Sequence, residues 1–170
     1  MGRASIKQDK TPYQLTREEL GLTRQEAADL LEVIPAERIE KIENGRIQIL
    51  PQDVLTMSQK YQNPTLCNYY CSQQCPIGEQ YVPRIQVKEL PAIIMEMLAA
   101  LNSVYRNRDR LIDIAADGRL GKDEIQDFIT IQNELEHISQ TVEALQLWAE
   151  TLLADGTIDR DTYNKLKSAQ

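Results

Sequence analysis

Apolar positions in the second half of the chain keep a seven-residue rhythm. Ile94, Met97, Leu101, Val104, Leu111 and Ala115 follow at alternating steps of three and four, with Arg108 in the one polar slot. Phe128, Ile131, Leu135, Ile138, Val142, Leu145, Ala149 and Leu152 repeat the alternation without a break. On a helix, such a stripe is the seam of a coiled coil or helical hairpin. Asp117-Gly118 lies between the stripes, where a glycine supplies the left-handed cap of a helix end. Gly121-Lys122-Asp123-Glu124 then opens a new helix with the acidic residues that a helix N-terminus favours. The pattern predicts two antiparallel arms, Lys88–Ala116 and Asp123–Ala154. Residues 116–123 are echoed at 154–161, so a last helix, about Asp159 to Lys167, is expected to fold back onto the hairpin.

The first half carries shorter periods. Thr23 with Glu26 three positions later makes a capping box, which starts a helix there. Ala27, Ala28, Leu30 and Leu31 give that helix a small, close-packing face. Pro35 suits the first position of a following helix. Ile39 and Ile42, three apart, point that helix at a core, which turns Ala36, Glu37, Arg38, Glu40 and Lys41 outward. Gly45 ends it. Two short helices joined by a tight connection are how a helix-turn-helix places one helix in a DNA groove. A further helix is expected from Asp53 to Tyr61, closed off by Asn63-Pro64.

Arg17-Glu18-Glu19-Leu20-Gly21-Leu22-Thr23 followed by Ile42-Glu43-Asn44-Gly45 resembles the phage-repressor-like (XRE-type) helix-turn-helix family over about residues 12–62. The resemblance implies a structural ion pair between Arg17 and Glu43. It implies phosphate contacts from Thr23 and Arg24, at the start of the second helix. The outward face of the third helix would read bases with Arg38 and Lys41. Glu37 would be a possible acceptor from cytosine N4, Ala36 would lie beside it, and Arg46 would lie near the backbone. Two departures stand out. The connection before the third helix is one residue longer than the family's common pattern, with Ile34 where a small polar cap is usual. Glu37 and Glu40 also lack the structural role that Glu43 has, and each carboxylate near phosphate costs about 1 kcal/mol at moderate salt.

Composition and charge narrow the reading. The chain is 42% hydrophobic but only 5% aromatic, so its core must be aliphatic and an all-α fold is expected. Net charge is −7, the wrong sign for a strong nucleic-acid binder. Most of the excess acid lies beyond residue 63, however: residues 1–63 hold 9 Lys+Arg against 10 Asp+Glu. A nearly neutral reader must rely on a few placed cations. The expected organisation is a flexible N-terminus (1–10), a helix-turn-helix domain (11–63), a Cys-containing linker (64–87) and a C-terminal helical hairpin (88–170).

Cys67, Cys71 and Cys75 recur every four residues, one stripe if the linker is helical. Three thiolates want a fourth ligand to hold zinc, the only histidine (His137) is distant, and four-residue steps spread the sulfurs roughly 6 Å apart. Reduced structural thiols are therefore expected, with a Cys-based metal or redox sensor as the lesser alternative. Asp113 to Glu124 matches a calcium loop at four positions but offers Ala115 at the third, so a helix cap explains it better. No nucleophile elbow, phosphate loop or histidine pair is present, and neither an enzyme nor a cofactor is expected. The longest apolar run, from Ala92, is interrupted by Glu96 and too short for a bilayer, and the N-terminus has no apolar signal core. The expectation is a cytoplasmic transcriptional regulator that binds double-stranded DNA as a homodimer. The hairpin would serve dimerisation or a protein partner. The rival is a protein-interaction adaptor with the same fold and little DNA affinity.

Overall fold

A computed structural model of the chain describes residues 9–116 and 120–169. Residues 1–8 of the expected flexible terminus and the expected glycine cap at Asp117-Gly118 lie outside them. The described residues are all-helical: α1 (Pro12–Glu19), α2 (Arg24–Leu31), α3 (Ala36–Glu43), α4 (Pro51–Lys60), α5 (Thr65–Gln73), α6 (Gly78–Tyr81), α7 (Leu90–Arg106), α8 (Arg108–Ala115), α9 (Ile125–Ala154) and α10 (Arg160–Ser168). None of these helices is long and apolar enough to cross a membrane. The chain divides into two compact units. One runs up to Arg84 and includes residues from Glu150 on; the other is Ile85–Ala149.

In the first unit, α1 to α5 close on an aliphatic core of Ala27, Leu31, Ile34, Ile39, Ile42, Ile49, Val54, Met57 and Leu66, completed by Tyr13 and Tyr61. Burying each large side chain stabilises by about 1.5–3 kcal/mol, so the core is set by which helix faces are apolar. Thr11 caps α1 by accepting from the Gln14 amide, with Pro12 in the first turn. Helices α1 and α3 end alike. Gly21 (φ +70°) lets the Leu22 amide reach the Arg17 carbonyl at 3.1 Å, and Gly45 (φ +66°) lets the Arg46 amide reach the Lys41 carbonyl at 2.8 Å. Both are the left-handed cap that glycine adopts without steric cost.

Several expectations change here. Pro35 is the N-cap of α3, not its first helical residue, because its ψ of 153° is extended and Ala36 begins the helix. The fourth helix starts at Pro51, two residues early, since proline suits a first turn. Residues 64–87 are not a bare linker. Helix α5 buries Leu66 completely and packs Cys67, Tyr69 and Tyr70 against the core, while Tyr13 meets Tyr69 edge-on and donates to Gln74 Oε1 at 2.9 Å. The cysteine stripe is broken: Cys67 and Cys71 lie on α5, but Cys75 follows its C-cap, Gln74. The terminal helix, expected on the hairpin, groups instead with the first unit.

In the second unit the expected first arm is split. Asn107 (φ −93°, ψ 5°) separates α7 from α8, although the Leu111 amide still bonds its carbonyl. Arg110 joins α8 to the first turn of α9 through Asp127 at 2.6 Å. The seven-residue rhythm is real but turned by one residue. The sheltered line on α7 and α8 is Ile93, Met97, Ala100, Val104, Asn107, Leu111 and Ile114. On α9 it is Asp127, Ile131, Glu134, Ile138, Thr141, Leu145 and Trp148. The expected seam residues Ile94, Leu101, Phe128, Leu135 and Val142 are exposed instead, together with Leu98, Tyr105, Ile112 and Ile125. Both lines have the same period, so apolar spacing alone could not choose between them.

Candidate nucleic-acid interface

The helix-turn-helix is locked by one buried carboxylate. Glu43, 1% exposed, sits in the last turn of α3. It accepts from Arg17 Nε at 2.5 Å and Nη2 at 3.0 Å, and from Arg24 Nε at 2.8 Å. Arg17 also donates from Nη1 to the Leu22 carbonyl at 2.5 Å, which ties α1 to the entry of α2. Burial works against the Arg17 charge, but the hydrogen bond and field of Glu43 outweigh it and hold its pKa above the ordinary value. A planar fork against a carboxylate is a fixed geometry that lysine could not supply. Tyr61 borders this group: burial first, and the Glu43 charge second, push its phenol up to about 12.

Thr23 caps α2 as the sequence suggests. Its side chain accepts from the Glu26 amide at 3.2 Å, and Glu26 accepts from the Thr23 amide at 2.7 Å. The hydrogen bonds at Thr23 hold the Glu26 carboxyl below the usual range. Thr23 and Arg24 therefore stand at the positive end of α2, where backbone amides and helix dipole favour an anion. The turn into α3 is Glu32 to Pro35. Ile34 fills the core at 1% exposed while Val33 stands at 73%. The extra residue costs the backbone: Glu32 adopts φ +62°, and the Val33 amide folds back to the Leu31 carbonyl at 2.7 Å.

Ile39 and Ile42 are buried, so α3 turns the opposite face out, and Ala36, Glu37, Arg38 and Lys41 share it. Every cation expected to meet DNA already has a carboxylate. Arg38 donates to Asp53 Oδ2 from Nε at 3.0 Å and Nη2 at 2.6 Å. Lys41 pairs with Glu37 at 2.6 Å, one helical turn away, and holds that carboxyl below its ordinary pKa. Arg46 meets Glu40 at 3.4 Å, and Arg24 meets Glu43. Glu37 and Glu40 thus have the partners that the sequence reading denied them. The Glu37–Lys41 spacing was legible as an i,i+4 pair. The reach from Arg38 to α4 and from Arg46 back to α3 was not.

Burial, then the neighbouring Cys67 and Cys75, push the Cys71 thiol up, so it sits in the fold as the protonated thiol. Among the described residues no group of three or more His, Cys, Asp or Glu is placed to hold a metal ion. No family model, no characterised protein and no solved structure matches this chain.

Proposed function

We propose that the chain is a sequence-specific DNA-binding transcriptional regulator, working inside the cell where the duplex is, and reading an operator with α3. The observation that carries this is Glu43 of α3 gathering Arg17 of α1 and Arg24 of α2, which fastens the α2–α3 pair, with the capped end of α2 and the outward face of α3 holding Thr23, Arg24, Arg38 and Lys41. The phage-repressor-like resemblance supports the same roles. One reader of this size touches too few bases for useful specificity, so two copies on half-sites about 34 Å apart are expected.

Fluorescence anisotropy against a pool of labelled genomic duplexes, at ~50 and ~200 mM salt, tests the reading. Binding should weaken with salt at a slope of about −3 per reader, as a handful of phosphate contacts dictates. Arg38→Ala and Arg24→Ala should each weaken it by roughly tenfold, the scale of one charged contact. The paired cations favour one rival. If every positive group on α3 stays neutralised, the same surface suits a protein partner, and the chain is an adaptor. Absence of salt-dependent duplex binding, with both arginine variants behaving as wild type, selects the adaptor.

A further inference from the structure

The second unit carries an apolar line that nothing in its own sheltered seam explains. Leu98, Tyr105 and Ile112 repeat every seven residues on α7 and α8, and Phe128, Leu135 and Val142 do so on α9. All six are exposed, Tyr105 by 68%. At 100° per residue, the outer line lies roughly 120° round α7 and α8 from the sheltered line and roughly 80° round α9, in the same rotational sense on both. In an antiparallel hairpin closed on the sheltered lines, that shared sense brings both outer lines to one side. The Arg110–Asp127 ion pair fixes the register. It sets Ile93 level with Leu145, Ala100 with Ile138 and Asn107 with Ile131 along the two sheltered lines, to within a helical turn.

The geometry points to a second copy of this chain as the occupant of that side, in an isologous pair with α7 and α8 of each chain laid along α9 of the other. Three features carry the choice. First, rotation about an axis parallel to the helices puts Leu98 level with Val142 of the partner subunit, Tyr105 with the partner's Leu135 and Ile112 with the partner's Phe128. Like-period lines then meet along their whole length, as bundle packing requires. Second, the exposed area suffices. With exposed Ile94, Leu101 and Ile125 on the same side, the six make nine large side chains; about half of nine, at on the order of 200 Å² each, gives roughly 900 Å² per chain, the size of a standard interface side. Third, the charges match. Residues 125–149 hold Asp127, Glu134, Glu136 and Glu143 with no Lys or Arg, and α7 ends in exposed Arg106, whereas Arg108 and Arg110 already pair with Asp109 and Asp127 of their own chain. In the paired arrangement exposed Arg106 and Glu136 of the partner subunit fall on the same rim.

Sedimentation equilibrium of the full chain from ~1 to ~100 μM tests the pairing without DNA. The expected mass is twice 19.5 kDa. Leu98→Glu and, separately, Phe128→Glu should each weaken association by 100-fold or more, roughly the loss of one central apolar anchor, with helical circular dichroism retained. Arg106→Glu should weaken it about tenfold, and Arg106→Glu with Glu136→Arg should recover it. A wild-type chain that stays monomeric at ~100 μM overturns the proposal. So do assemblies larger than two, or an unchanged mass in both apolar variants. A chain that pairs but ignores duplex DNA leaves the proposal standing and removes the regulator reading.

Discussion

Replacing Glu43 with Gln perturbs the one group on which the helix-turn-helix converges. The carboxylate is buried and accepts three hydrogen bonds from two guanidiniums. Glutamine keeps the volume but removes the charge, and its amide presents a donor toward Arg17. Arg17 is only 7% exposed and keeps the Leu22 carbonyl and, at 3.8 Å, Glu18 Oε1 as its remaining partners. Leaving a buried charge without its hydrogen-bonded counter-ion costs about 3–5 kcal/mol. Arg17→Met should cost nearly as much, because it strips the better-buried of the two cations from Glu43. Arg24→Met should cost under about 1 kcal/mol, because that side chain is 36% exposed and water replaces the carboxylate. The double variant Arg17→Met with Glu43→Leu should cost less than either single change, since no charge is then stranded. Urea denaturation followed by circular dichroism at 222 nm measures all four, with Trp148 fluorescence as a separate reporter of the second unit. At an m-value near 1 kcal/mol/M for so small a unit, Glu43→Gln should move its midpoint by about 3 M. A shift below ~1 M, or a double variant that costs the sum of the singles, refutes the view that Glu43 and Arg17 act as one buried pair.

Three further outcomes follow from the geometry. Asp53→Asn releases Arg38 from its two hydrogen bonds, so anisotropy should show duplex affinity rising by about threefold to tenfold at low salt. Glu32→Gly relieves the φ of +62° at the turn and gives up only an exposed Lys60 contact; it should raise the urea midpoint by the equivalent of about 1 kcal/mol. Tyr61 titrates near 12 in the fold against 10 in an unfolded chain, so its contribution is fully present below pH 10 and lost as pH rises through 12. Stability should fall by roughly 2–3 kcal/mol over that window, and Tyr61→Phe should flatten the fall in an alkaline titration followed by circular dichroism.

Local chemistry made much of the first unit readable. The Thr23–Glu26 capping box, the glycine ends at Gly21 and Gly45 and the inward Ile39 and Ile42 all depend on residues within one or two turns. The structure has each of them. The rest depended on reach across the fold. Nothing in the spacing of Cys67 and Tyr69 says that their helix will dock on α1 and α4 and belong to the first unit, because a short apolar run fits a linker as well as a core. The seam of the second unit was half legible: Met97, Val104, Leu111, Ile131, Ile138 and Leu145 are sheltered as expected, and the alternate positions are not. Its helices carry two lines of the same period. The sheltered one takes Asn107, Asp127 and Glu134 at its alternate positions, so choosing the more apolar line turns the seam by one residue there.

The two surfaces of the molecule pose the same physical question in opposite forms. On α3 the cations are neutralised within the chain by Asp53, Glu37, Glu40 and Glu43, so a duplex must compete with carboxylates already in place. Such competition lowers affinity for any phosphate backbone, whatever its sequence. Contacts that also satisfy the displaced groups are penalised less, for example Glu37 accepting from a cytosine amine as Lys41 turns to phosphate. A reader built this way gives up non-specific binding first. That loss has to be offset by avidity, since two weak readers joined at fixed spacing bind a double site far more tightly than one. The exposed line of Leu98, Tyr105 and Leu135 is where such a join can form. If α3 reads an operator as we propose, weak self-neutralised reading and pairing through α7 to α9 belong together: a monomeric chain with this α3 would hold no operator at useful concentrations.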